Sequence, residues 1–142
     1  MAAAPTHWRT WDLGDFRLQT PPGWTQVVGG IDSQAGTLAE GGLRIEYDFG
    51  RYSDPLARRE DMQDYRSNAG MVDGLPARFV QFRSVGPAGQ RQTCSGVHVP
   101  RIRPSGTSML SLTVLACADT EAQLGPSAAI LGSIRWHVPV SR

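Results

Sequence analysis

The chain has 142 residues, 40% of them hydrophobic and 19% charged, with a formal net charge of +1. That length suits one domain able to bury about 70% of its unfolded surface, and no apolar run approaches the roughly 18 residues of a membrane span. All 14 basic residues are Arg; without Lys, a Walker A phosphate loop, a pyridoxal Schiff base and a protein-kinase active site are excluded in their usual forms.

The Arg bias itself reads as the mark of a GC-rich genome, while 16 Gly and 10 Pro favour short strands and many turns over long helices. Residues 1–7, beginning Met1-Ala2-Ala3-Ala4-Pro5, are expected to be a flexible segment, and 8–140 one domain. The start lacks the charged and long apolar regions of a signal peptide. It fits the trimmed start of an exported protein, periplasmic or secreted, and equally a cytoplasmic start.

From Trp8 to Val28 the pattern predicts two short strands around a turn and then a third. Phe16, Leu18 and Thr20 alternate with Arg17 and Gln19. Pro21-Pro22-Gly23 stops that strand, and 24–28 resumes extended. A short strand over 37–40 and a hairpin turn at Gly41-Gly42 follow. Leu43, Ile45, Tyr47 and Phe49 alternate strictly with Arg44, Glu46 and Asp48, which makes a strand with one wet face. Ser53-Asp54-Pro55 joins an N-cap to a Pro at the first helical position, predicting a surface helix over 54–65.

Gly74-Leu75-Pro76 predicts a turn, with strands at 77–85, 90–99 and 107–117 after it. Thr120 and Gln123 have capping-box spacing, Asp119 being the other candidate cap. Leu124, Ala128 and Leu131 form the apolar stripe of a last helix that starts or bends at Pro126. Residues 134–138 are expected to close the sheet.

Two cysteines cannot make a Cys-only zinc site, and their spacing is not that of a redox CxxC pair. If the hairpin over 90–117 is symmetric about Ser105-Gly106, Cys94 falls opposite Cys117, Val97 opposite Val114, Val99 opposite Leu112 and His98 opposite Thr113. A Cys94–Cys117 disulfide would place the chain in an oxidising compartment. The alternatives are two buried thiols, or a bulge near Pro100 that spoils the register.

His7, His98 and His137 are scattered, and HExxH, GxSxG and GxGxxG motifs are missing. Ser95 and His98 point to opposite faces of a strand, while Cys94 and His98 lie about 13 Å apart along it. No catalytic residue, metal ligand set or cofactor is predicted. Carboxylates at Glu46, Asp48 and Asp54, and at Glu60, Asp61 and Asp64, are read as solvated faces in preference to a hard-cation site. Residues 1–71 carry seven Arg against ten acids, and 72–142 carry seven Arg against three. Arg101 and Arg103 sit in the hairpin loop as candidate contacts to an acidic partner, with pairing inside the molecule as the other reading. Nucleic acid is not expected, since basic residues do not cluster with aromatics.

Phe16 to Trp24 with its Pro-Pro-Gly-Trp, Ile31-Asp32-Ser33 with Gly36, residues 47–53 (Tyr-Asp-Phe-Gly-Arg-Tyr-Ser), Gly74-Leu75-Pro76-Ala77 and residues 130–136 (Ile-Leu-Gly-Ser-Ile-Arg-Trp) together span most of the chain. In these motifs it resembles the PsbP-like and DcrB-like superfamily of bacterial proteins. The resemblance implies an α+β fold: an antiparallel sheet flanked by helices in an α/β/α sandwich, with a C-terminal helix and a closing strand. It also implies a non-enzymatic, exported binding or assembly factor of the cell envelope whose partner is another protein. In that fold Asp32, Ser33, Asp48, Tyr52 and Ser53 would converge, as a ligand site or as side chains that lock loops. Two other functions stay open: a small metal-dependent or hydrolytic enzyme using Asp32, Asp48 and Tyr52, and an inhibitor or immunity-type protein acting through the Arg-rich second half.

Overall fold

Alternating apolar side chains become strands wherever one face finds a core. The computed structural model describes residues 7–28, 34–86 and 88–137. Nine strands come first: β1 (Arg9–Asp12), β2 (Phe16–Thr20), β3 (Thr25–Val28), β4 (Gln34–Glu40), β5 (Leu43–Gly50), β6 (Gln63–Val72), β7 (Leu75–Val85), β8 (Arg91–Ser105) and β9 (Ser108–Ala118). Two short helices, α1 (Glu121–Leu124) and α2 (Ser127–Gly132), and a last strand β10 (Arg135–Trp136) follow. Seven strands form one antiparallel sheet in the order β3-β4-β5-β9-β8-β7-β6. A smaller antiparallel sheet has the order β1-β2-β10.

One face of the large sheet carries Leu38, Ile45, Tyr47, Phe49, Val97, Val99, Leu112, Val114 and Ala116. Phe16 and Leu18 from β2, Ile130 and Leu131 from α2, and Ile134 complete the same core. Phe16 meets Tyr47 edge-on with centroids 5.9 Å apart and stacks on Phe49 at 6.3 Å. The opposite face carries a smaller cluster of Val80, Phe82, Cys94 and Cys117, covered by Leu56 and Met62. Those two residues belong to an irregular strap, residues 51–62. Helices therefore stand on one face alone, and the expected α/β/α sandwich is corrected to a mostly antiparallel β fold with a C-terminal helical segment and a short strand.

The predicted helix over 54–65 does not form. Its cap bond does, with Leu56 N donating to Asp54 Oδ1 at 2.8 Å, yet Leu56 then turns to φ +56. Left-handed backbone costs a non-Gly residue about 1–2 kcal/mol. Burying a Leu side chain stabilises by about 1.5–3 kcal/mol, and Leu56 is fully buried over the disulfide. Burial wins, and the chain runs as a strap before entering β6. That strand escaped the sequence reading because, at the sheet edge, nearly all of its residues are exposed and no period-two signal survives.

The turn expected at 74–76 moves back one residue: Asp73 and Gly74 take φ 42 and 89 as a two-residue hairpin loop, and Leu75 already pairs with Val72. The strand expected to close the main sheet pairs instead with β2, Trp136 opposite Phe16. The capping box does form at Thr120 and Gln123. Pro126, with no N–H to continue α1, divides the helical segment in two.

The β8–β9 register is the expected one, with Cys94 opposite Cys117 and Val97 opposite Val114. It arises differently. The turn is Gly106-Thr107, since Ser105 pairs with Ser108, and a bulge between Val99 and Arg103 then takes up two residues. Pro100, unable to donate to the ladder, lies within that bulge. The bulge thus restores the register instead of spoiling it.

Replacing Phe16 with Ala, which empties a fully buried site against two rings, should cost about 3–5 kcal/mol in urea unfolding. Tyr52→Ala, at a position 91% exposed, should stay within about 0.5 kcal/mol of the parent in the same assay.

Candidate functional site

Apolar side chains on the core face of β7 and β8 end at Phe79 and Val97, which oppose each other. The next positions on that face are polar: Gln81 opposite Ser95, then Arg83 opposite Thr93. On β6, Arg66 stands opposite Gln81. Beside these strands rise Glu121 and Leu124 of α1, with Ser127 and Ala128 of α2, and the space between is an open trough of about 650 Å³.

Arg83 spans one end of it. Nη2 donates to Glu121 Oε1 at 3.1 Å, and Nη1 lies 3.7 Å from Asp64 Oδ2. All three side chains are more than half exposed, so each pair contributes about 1 kcal/mol at most. Their effect is to orient the guanidinium over the trough. Arg66 is exposed and has no hydrogen bond or ion pair among the described residues. Two guanidinium groups, one of them already paired with Glu121 and Asp64, the hydroxyls of Thr93, Ser95 and Ser127 and the Gln81 amide suit a polar, hydrogen-bonding occupant, with Arg66 as the cation open to a carboxylate.

On the strap face a second cavity of about 380 Å³ is lined in part by Thr37, Glu46, Asp48, Asp54 and Thr113. Of the cluster expected around Asp48, that residue alone lines this cavity among the described residues. Tyr52 projects into solvent, and Ser53 is buried with its Oγ 2.5 Å from Ser111 Oγ; Ser111 also donates to Gly50 O at 3.1 Å. The bond to Ser111 ties Ser53, at the start of the strap, to β9. Asp32 and Ser33 lie outside the described residues.

A seam of similar bonds pins the rest of the strap. The Thr113 hydroxyl donates to Asp54 O, which leaves its lone pairs for His98 Nδ1 at 3.0 Å. Arg78 donates to Pro55 O, and Tyr65 Oη donates to Leu56 O at 2.6 Å. Burial holds His98 below the usual histidine range; the Arg78 charge acts in the same direction, and Asp54 opposes both.

Arg103 is held by Asp15, and Arg83 by Asp64, so the basic second half does pair with the acidic first half at these positions. Arg101 stays exposed. Strand parity separates Ser95, at the trough, from His98, under the strap. Among the described residues no group of three or more His, Cys, Asp or Glu is placed to hold a metal ion, and no helix is long and apolar enough to cross a membrane.

Sequence reasoning missed Arg66, Gln81, Arg83 and Glu121 as a set, because segment 63–72 read partly as helix. One signal was present: Gln81 and Arg83, like Thr93 and Ser95, are polar at positions whose parity is that of the apolar core. No protein-family model and no curated protein matches the chain.

Cys94 and Cys117 are bonded, with Cα atoms 4.2 Å apart and a sequence separation of 23. Replacing both with Ala should lower stability by about 3 kcal/mol, read as a fall in urea midpoint. His98 generates a pH dependence. Its folded pKa is depressed, so the unfolded ring binds a proton first, and stability present at pH 7–8 declines as pH falls below about 6.5. His98→Gln should flatten the urea-midpoint profile in that window relative to the parent.

Proposed function

We propose that the protein is a non-enzymatic binding or assembly factor of the bacterial cell envelope, exported to an oxidising compartment, with the trough beside α1 and α2 as its binding surface. The observation that carries this reading is the row Arg66–Gln81–Ser95: polar side chains placed on core-face positions of paired strands and left open beside the helices. A hydrophobic fold leaves such positions polar where an occupant other than its own core is to be met.

Further support comes from the disulfide, which persists in oxidising compartments and is rare in reducing ones. The resemblance to the PsbP-like and DcrB-like superfamily supplies the expectation of a protein partner. The acidic-partner reading moves from Arg103, which Asp15 occupies, to Arg66, which lines the trough and has no hydrogen bond or ion pair among the described residues. Strands hold this surface rigid, as a preorganised binding site requires.

The test uses the protein expressed in its native host. A photo-crosslinking residue at Gln81, in the trough, should give a discrete adduct with an envelope component. The same residue at Arg44, on the opposite face of β5, should give none. Equal adducts from both positions would remove the trough from the proposal. Alkylation before reduction should find Cys94 and Cys117 blocked, and reactive thiols would overturn export.

A further inference from the structure

Sheet edges carry unpaired backbone N–H and C=O groups, and proteins protect them with short strands, Pro, charges or bulges. The large sheet treats its two edges differently. β3 has four residues and follows Pro21-Pro22. β6 has ten, and its outer side has no partner strand among the described residues. A bulge between Gln63 and Arg66, with Asp64 at φ +54, blunts its beginning. From Ser67 to Val72 there is neither charge nor Pro, and Met71 is 60% exposed.

The side chains along this edge repeat every second residue. Arg66, Asn68 and Gly70 share the trough face. Arg66 is exposed and has no hydrogen bond or ion pair among the described residues. Gly70 leaves a gap that the Phe79 ring overhangs: a Cβ there would lie 2.7 Å from Phe79 Cε2. An added strand would therefore meet a positive charge at one position and an aromatic surface four residues further on.

We propose that the outer edge of β6 takes up an extended segment of a partner protein, added antiparallel, with an acidic side chain opposite Arg66 and a large apolar one opposite Gly70. The inference rests on the binding-factor reading above and deepens it by naming the kind of partner. Main-chain bonds supply the attachment, and the alternate side chains supply the selection. Antiparallel addition continues a sheet that is antiparallel throughout its described pairs.

A second copy of this chain fits less well. Two-fold pairing of β6 with itself centred on Asn68 or Ala69 puts Arg66 opposite Gly70 or Val72. Only centring on Tyr65 brings Arg66 to Asp64, and there the bulge interrupts the ladder. Charge complementarity selects a different, acidic segment.

The probe is a synthetic peptide with the core Leu-Val-Thr-Val-Glu flanked by Ser and Thr, titrated into the full chain and followed by amide NMR and hydrogen exchange. Shifts and slowed exchange confined to Ser67–Val72 and the trough are expected. The peptide ending in Arg should bind about tenfold more weakly, and the preference should reverse in Arg66→Glu. That reversal depends on the peptide and not on stability, so it stands apart from any folding defect. Absence of binding at millimolar peptide, or binding that ignores the charge swap, overturns the proposal. So does a concentration-dependent dimer that slows the same amides without peptide. A Gln81 cross-link that survives when the peptides fail would overturn strand addition alone, while loss of both would end the binding-factor reading too.

Discussion

A slip of one residue between β8 and β9 would turn every side chain of one of the two strands to the wrong face. The pair lies in the middle of the large sheet, and its register is held from both sides. Cys94 is bonded to Cys117 under the strap, while Val97 against Val114 and Val99 against Leu112 interlock in the core. β5 aligns on β9 and β7 on β8, so the same register places Tyr47 and Phe49 against Phe16, His98 beneath Asp54, and Ser95 and Gln81 beside the helices. Core, seam and trough follow from one alignment.

The two faces of that sheet are closed by different means. On one, the small sheet and α2 bury large side chains completely, as at Phe16, Leu18 and Ile130. On the other, a strap without regular structure contributes Leu56 and Met62 and is tied down by hydroxyl and guanidinium groups reaching its carbonyls, the Thr113 hydroxyl being bonded in turn to the His98 ring. Irregular chain carries backbone groups that must be paired when buried. Thr113, Arg78 and Tyr65 meet that need at residues 54–56. Polar residues there serve the fold, whereas those of the trough line an open space beside the helices.

Exclusive use of Arg takes on physical content at the trough. One guanidinium presents donors in fixed directions from a plane, and Arg83 uses two of them to reach Glu121 and Asp64 on separate elements. The bridge joins α1 to β6 across the opening, so the helical segment and the edge strand are positioned together. Arg66, on the same strand, is exposed and has no hydrogen bond or ion pair among the described residues.

Much of the β structure was legible from period-two alternation: β2, β5, β7 and β9 lie within one or two residues of their expected places. The disulfide was legible too, although through a turn placed two positions out of register and a bulge that compensates. β6 was not. An edge strand wet on both faces has no pattern to show, and the Ser53-Asp54-Pro55 signal for a helix is genuine as far as its cap bond. Only the need to cover the disulfide turned Leu56 out of that helix. Sequence alone determined the alternation and the absence of Lys, and it offered the pairing of two cysteines beside free thiols, because these depend on neighbours along the chain or across one hairpin. Which face received helices, where β10 docked, and that Arg66, Arg83 and Glu121 share one opening were decided by tertiary structure. Those outcomes depend on segments far apart in sequence competing for the same buried surface.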